Sequence, residues 1–292
     1  MAYQRDGDRL RPFVLLLSLS CALWAGGPEF DQARKLYNLT EFEQSLKILQ
    51  SIPRKDGAVY DLIGRNYYMQ GDFKNATEAL EKAVAAEPGN SEFNLWLGRA
   101  YGRRAETSSM FTAPGYASKA RQYFEKAAQL NPRNLDAQSD LFEYYLEAPG
   151  FLGGGFEKAA ATAEQIGKIN QAEGYWAQAK LAEQRKEFSS AEDQLRRAIE
   201  LTPHQVGRLI DLARLLAKQG RMEEADQSFA RAEAIAPGSP KVLFARADVY
   251  IKTGRNLNVA KDLLKRYLSL ALTPEDPPRS QAEKLLKQAQ GG

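Results

Sequence analysis

The chain has 292 residues, 43% of them hydrophobic and 26% charged, with a formal net charge of +3. That length suits one or two ordinary domains or a single medium repeat array, and the composition is that of a soluble protein. Lys and Arg are not clustered, so the small positive excess excludes the electrostatic footprint of nucleic-acid binding. Cys21 is the only cysteine and His204 the only histidine. No intramolecular disulfide can form, and a Cys/His zinc site has no ligand set. A Ser–His or Cys–His nucleophile would have to use His204, whose setting, Thr202-Pro203-His204-Gln205, reads as a solvated turn.

Residues 1–25 read as a secretory signal peptide. Arg5, Arg9 and Arg11 precede an apolar run from Pro12 to Ala25, and the small residues Gly26 and Gly27 follow. The run is shorter than the roughly 20 residues that span a bilayer. Export to a periplasmic or secreted location is therefore expected, with cleavage within residues 22–27. Two alternatives remain open: an uncleaved N-terminal membrane anchor, or lipid attachment at Cys21, where Ser18 stands in the place usually held by Leu.

From Gly57 onward one template recurs. Tyr60, Ile63, Gly64, Tyr67, Gly71, Phe73, Ala76, Leu80, Ala83 and Pro88 reappear in kind as Tyr175, Ala179, Phe188, Ala191, Leu195, Ala198 and Pro203. They reappear again as Leu209, Leu212, Ala213, Gly220, Ala225, Phe229, Ala232 and Pro237. A 34-residue step separates Ala172, Val206 and Pro240. Apolar residues at helical spacing, a Gly where the chain reverses, small residues where helices approach and a Pro at each unit's end predict stacked helical hairpins. A single hairpin cannot bury its apolar face alone, so neighbours must stack.

These residues and this step resemble the tetratricopeptide repeat, W-x₂-L-G-x₂-Y followed by A-x₃-F and P. The resemblance covers roughly residues 28–275 and implies an all-α fold, a right-handed α-solenoid of helix-turn-helix units. The units are expected at 26–56, 57–90, 91–134, 135–171, 172–205, 206–239 and 240–277. Residues 278–292 read as a C-terminal capping helix with Ala282, Leu285, Leu286 and Ala289 as its apolar stripe.

Two consecutive units depart from the 34-residue step in the turn between their helices. Thr107 to Gly115 intrudes in the first, and Pro149-Gly150-Phe151-Leu152-Gly153-Gly154-Gly155 in the second. The second has P-loop-like glycine spacing, but Phe156 and Glu157 stand where Lys and Ser/Thr are required, so nucleotide binding is rejected. The insertions are expected side by side on one edge, either as wide turns with Phe151 and Leu152 tucked onto the neighbouring loop, or as a partner contact built from Phe111, Pro114, Pro149, Phe151 and Leu152.

The resemblance also implies a concave surface lined by the first helix of each unit, where partners dock. By position it carries Arg65, Tyr68, Trp96, Arg99, Arg103, Glu143, Trp176 and Lys180, rich in the Trp, Tyr and Arg that dominate binding hot spots. A basic strip (Arg65, Arg99, Arg103) adjoins an acidic one (Asp140, Glu143, Glu147), and the two either await a partner or pair with each other. The function expected is an exported scaffold for a protein or peptide partner. A self-associating structural module is the alternative, and no nucleic acid or cofactor is expected. An enzyme is the least favoured class, because no catalytic constellation or cofactor loop is present.

Overall fold

The computed structural model describes residues 27–273, 276–277 and 279–291. The apolar run, Cys21 and the cleavage region up to Gly26 lie outside the described residues, as does Pro278. The described residues form helices and turns without a strand. The helices pair in chain order. They are α1 (Pro28–Asn38) with α2 (Phe42–Ser51), α3 (Gly57–Met69) with α4 (Phe73–Ala86), and α5 (Ser91–Thr107) with α6 (Ala113–Leu130). Next come α7 (Leu135–Glu147) with α8 (Phe156–Ile169), α9 (Gln171–Gln184) with α10 (Phe188–Leu201), and α11 (Val206–Lys218) with α12 (Met222–Ile235). The pair α13 (Pro240–Lys252) and α14 (Leu257–Ser269) precedes a last single helix, α15 (Arg279–Gly291). The chain is an all-α helical-repeat solenoid.

Local chemistry explains where the helices start and reverse. The side chains of Asp56, Asp72, Asn90, Asn134 and Asn170 accept from backbone N–H groups in the first turns of α3, α4, α5, α7 and α9, as N-caps do. Five hairpins reverse through the same C-terminal motif, in which a residue with positive φ follows the cap and the next N–H donates five residues back. Asp72 N–H donates to the Tyr67 carbonyl, Arg221 to Leu216 and Arg255 to Tyr250, around Gly71, Gly220 and Gly254. The α1–α2 and α9–α10 turns have the same bonds, Glu41 to Leu36 and Glu187 to Ala182. Thr40 and Lys186, each at φ 62°, occupy the glycine's place there.

Small residues set the spacing of the stack. Ala76, Ala83, Ala191, Ala198, Ala225 and Ala232 expose no surface. A Cβ on Gly64 would lie 2.4 Å from Leu80, and one on Gly98 would lie 2.7 Å from the Phe124 ring. Tyr101, Phe142, Phe229, Tyr250 and Tyr267 fill the spaces between hairpins and are fully buried. On α15, Ala282 and Ala289 are buried, and Leu285 and Leu286 pack partly against the adjoining core.

The insertions differ from the sequence expectation in one respect. The first is mostly not a loop: it lengthens α5 to 17 residues and α6 to 18, against 13 in α3 and 14 in α4, and leaves only residues 108–112 as a turn. Pro114 therefore sits in the first helical turn of α6, partly buried, where its missing N–H costs nothing. Helix extends into both ends of the insertion because Ala105, Glu106 and Ala113 are helix-compatible, and Gly102 and Gly115 lie inside α5 and α6 without ending them. The second insertion is a tight turn, with one 3₁₀ turn at Gly150–Leu152 that packs on α6. Tyr144 Oη donates to the Leu152 carbonyl at 2.9 Å and Lys158 Nζ to that of Gly153 at 2.9 Å.

First helices neighbour one another along the stack: α1 with α3, α3 with α5, α5 with α7, α7 with α9, α11 with α13 and α13 with α15. Second helices contact their own partner and the next hairpin instead. The first helices thus form the inner, closely spaced wall. The stack curls far enough that Asp276, Pro277, Ser280 and Gln281 face the α3–α4 turn across a cleft.

Candidate functional site

The inner wall of α3 and α5 gathers five of the sequence-selected residues. Trp96, half-buried, lies between two guanidinium groups, with Arg65 4.5 Å and Arg99 5.0 Å from its ring centre. Tyr68 meets Trp96 edge-on at 5.6 Å, and Arg103 lies 5.2 Å over the Phe73 ring. The i, i+4 spacing on α3 also brings Arg65 Nε within 2.7 Å of Asp61.

The charges of the two strips pair in part. Arg99 reaches from α5 to α7, with Nε bonded to Asp140 at 2.5 Å and a longer approach of 3.7 Å to Asp136. Arg103 pairs with Glu106 on its own helix. Burial pushes the Asp140 carboxyl up against the pull of Arg99. Burial likewise raises Asp61 to about 6 although Arg65 lowers it, and Asp61 Oδ1 has no hydrogen-bond partner among the described residues.

Glu143 has no ion pair among the described residues. The surrounding protein pushes its carboxyl up to about 7. The charges of Asp140, Glu147 and Asp211 add to that rise, and Lys180 opposes it. Lys180 stands further along the wall, lining a cavity of about 520 Å³ with Asp211, Arg214 and Asp248 from α11 and α13. The wall is thus basic and aromatic at α3–α5, and mixed in charge from α7 onward.

Trp176 departs from the sequence expectation. It is 7% exposed, meets Phe142 edge-on at 5.7 Å and lies under Arg208 at 4.8 Å. Arg208 in turn carries Glu173 and Asp211. Trp176 is core, not an exposed anchor, because it faces between hairpins and is closed over by a residue that no repeat template singles out.

The loop residues are split. Phe111 is 88% and Phe151 81% exposed, and Met110, which the sequence reading passed over, is 79% exposed. Phe151 is not tucked onto the neighbouring loop, Leu152 is partly covered, and Pro149 is exposed. Among the described residues no group of three or more His, Cys, Asp and Glu could hold a metal ion, and no helix is long and apolar enough to cross a membrane. His204 is exposed in the turn between α10 and α11.

Two stretches, residues 62–105 and 182–242, match family models described as tetratricopeptide repeat. No curated protein matches the chain. Among solved structures, a tetratricopeptide repeat protein from Parabacteroides merdae is similar, with a TM-score of 0.61 and 14% identity over 91% of this chain and 99% of that one. A thermophilic TPR protein in Thermus thermophilus has a TM-score of 0.53 and 21% identity over 64% and 97%. The assembly chaperone of RpL4 has 0.51 and 17% over 78% and 96%. At these identities the likeness is one of fold.

Proposed function

Since this chain is a tetratricopeptide-repeat protein, the fold of protein-interaction scaffolds, we propose that it is an exported scaffold that docks a protein partner on its concave wall. The observation that carries the reading is the Arg65–Trp96–Arg99 stack with Tyr68 at its edge. A half-open tryptophan flanked by two guanidinium groups, each already paired with a carboxylate of the wall, offers an aromatic surface with a fixed charged rim, the composition of a binding hot spot. Trp176, being buried, is not part of it. The exposed Met110, Phe111 and Phe151 on the insertion edge are a second contact for the same partner. The Arg-led apolar run at the N-terminus supports export, and the alternatives of an anchor or a lipid at Cys21 predict a membrane-bound chain.

The test is capture from the source organism with the wild-type chain, Trp96→Ala, and a Phe111→Ser/Phe151→Ser double variant, with the mature N-terminus read by mass spectrometry. One partner retained by the wild type and lost with Trp96→Ala supports the wall. Loss only with the loop variant moves the site to the insertion edge. Equal capture by all three ends the proposal, and a soluble chain that keeps Met1 or Ala2 ends the export half of it. Self-association through the exposed phenylalanines would instead appear in light scattering as a dimer that the loop variant dissolves.

A further inference from the structure

Arg65 is held at three points where α3 meets α5, and they do not hold it equally. Its Nε lies 2.7 Å from Asp61 Oδ2, its Nη2 3.9 Å from Glu92, and its guanidinium carbon 4.5 Å from the Trp96 ring centre. Glu92 stands exposed at the rim, whereas Asp61 shows only 7% of its surface.

The closest of these contacts is also the least well made. Despite the short distance, Arg65 Nε makes no hydrogen bond, and Asp61 Oδ1 has no hydrogen-bond partner among the described residues. A buried carboxylate that accepts no hydrogen bond is stabilised by the neighbouring charge alone, and burial works against it. The charges that act on Asp61 are Arg65 from its own helix, which favours ionisation, and Glu92 from α5, which opposes it; none from α1, α2 or α4 enters the balance. Burial outweighs Arg65, so the carboxyl is raised from 3.8 to about 6.

The arrangement therefore has two states. Ionised Asp61 draws the guanidinium in beside Trp96. Neutral Asp61 does not, while the guanidinium keeps its charge throughout. Glu92 is then the carboxylate left within reach, and a move toward it changes what covers one face of the ring. The other face is tied separately. Arg99 lies over it and bonds through Nε to Asp140 at 2.5 Å.

We propose that Asp61 and Arg65 form a pH-operated latch on Trp96, closed while Asp61 is ionised and released when it takes up a proton. Its use as a regulator rests on the docking wall proposed above. The latch itself is a property of the free chain, so its test needs no partner, and either proposal can fail while the other stands.

The three tryptophans of the full chain are labelled with 5-fluorotryptophan, the Trp96 resonance is assigned with Trp96→Phe, and fluorine NMR follows it from about pH 4 to about pH 8. Expected is a single step in the Trp96 signal with its midpoint near about 6. Asp61→Asn should remove the step and hold the signal at its acid position. Arg65→Lys, which lacks the planar group, should shrink the step about twofold or more. Glu143→Gln, which removes the other raised carboxyl of the wall, should leave the step in place. A Trp96 signal with no step overturns the proposal, as does a step that survives Asp61→Asn or vanishes with Glu143→Gln. The Asp61 carboxyl carbon, followed in the unaltered chain, should titrate with the same midpoint, and a value at the ordinary 3.8 ends the proposal without recourse to a variant.

Discussion

Replacing Glu143 by Gln measures how enclosed the concave wall is. The carboxyl rises from 4.5 to about 7, first because surrounding protein withdraws water from it, then through Asp140, Glu147 and Asp211, with Lys180 working the other way. Below 4.5 both folded and unfolded chains hold the proton, and the residue contributes nothing to the pH dependence. Between 4.5 and about 7 the unfolded chain releases its proton while the folded one retains it, so stability falls as pH rises. Above that interval the penalty is constant. For a fully enclosed group it would amount to roughly 3 kcal/mol, at about 1.36 kcal/mol per pH unit. Glu143 keeps part of its surface in water, so the surrounding protein withdraws water from it only in part, and solvent screening reduces the figure to about 1–2 kcal/mol. Gln keeps the shape and removes the charge. Melting followed by circular dichroism should show parent and Glu143→Gln alike near about pH 4 and the variant higher by about 2–8 °C near about pH 8. A difference that is constant across pH, or a variant less stable at the alkaline end, would refute the reasoning.

Other substitutions probe the packing. Gly98→Ala should cost about 1–3 kcal/mol, because its methyl would lie 2.7 Å from the Phe124 ring. Gly102→Ala, with open space on the same helix, should stabilise by about 0.5–1 kcal/mol, and urea melts of the two variants should move in opposite directions. Lys186→Gly should stabilise by about 1 kcal/mol by relieving a left-handed side-chain-bearing residue, and an unchanged urea midpoint would contradict the turn assignment. Trp176→Ala should lose about 3–5 kcal/mol, whereas Phe151→Ala should stay within about 0.5 kcal/mol. Comparable losses would mean that the core and edge assignments are wrong.

The fold was legible because each helical hairpin writes its own constraints locally. Ala76, Ala83 and Gly98 are small where backbones approach, and Gly71 and Gly220 sit where φ must be positive. Where the template lapses, at Thr40 and Lys186, the turn forms unchanged. The packing of the flanking helices outweighs a local cost of about 1–2 kcal/mol. Single-residue signals were therefore sufficient for the architecture but not necessary at every turn. Another close approach left little trace: a Cβ on Gly174 would lie 2.5 Å from the Gly167 Cα, and neither glycine holds a repeat-defining position.

The candidate site was less legible because exposure depends on neighbours that the repeat template leaves unspecified. Trp96 is the sixth residue of its unit and Trp176 the fifth of its own, so the two rings leave their helices about 100° apart. One lies half-open between Arg65 and Arg99, whereas the other meets Phe142 and is closed over by Arg208, side chains of the two neighbouring first helices that the template leaves unspecified. The cleft between the α3–α4 turn and the start of α15 lies further still from the sequence. It arises from small rotations accumulated over successive hairpins, so no pair of motifs marks Gln70 and Gln281 as neighbours. A change in any inter-helix contact, such as Gly98 against Phe124, tilts everything beyond it and is magnified at the far end. Gly98→Ala should accordingly disturb the Met69 environment at the cleft as well as the local core. Gly102→Ala, which meets open space, should leave it unchanged.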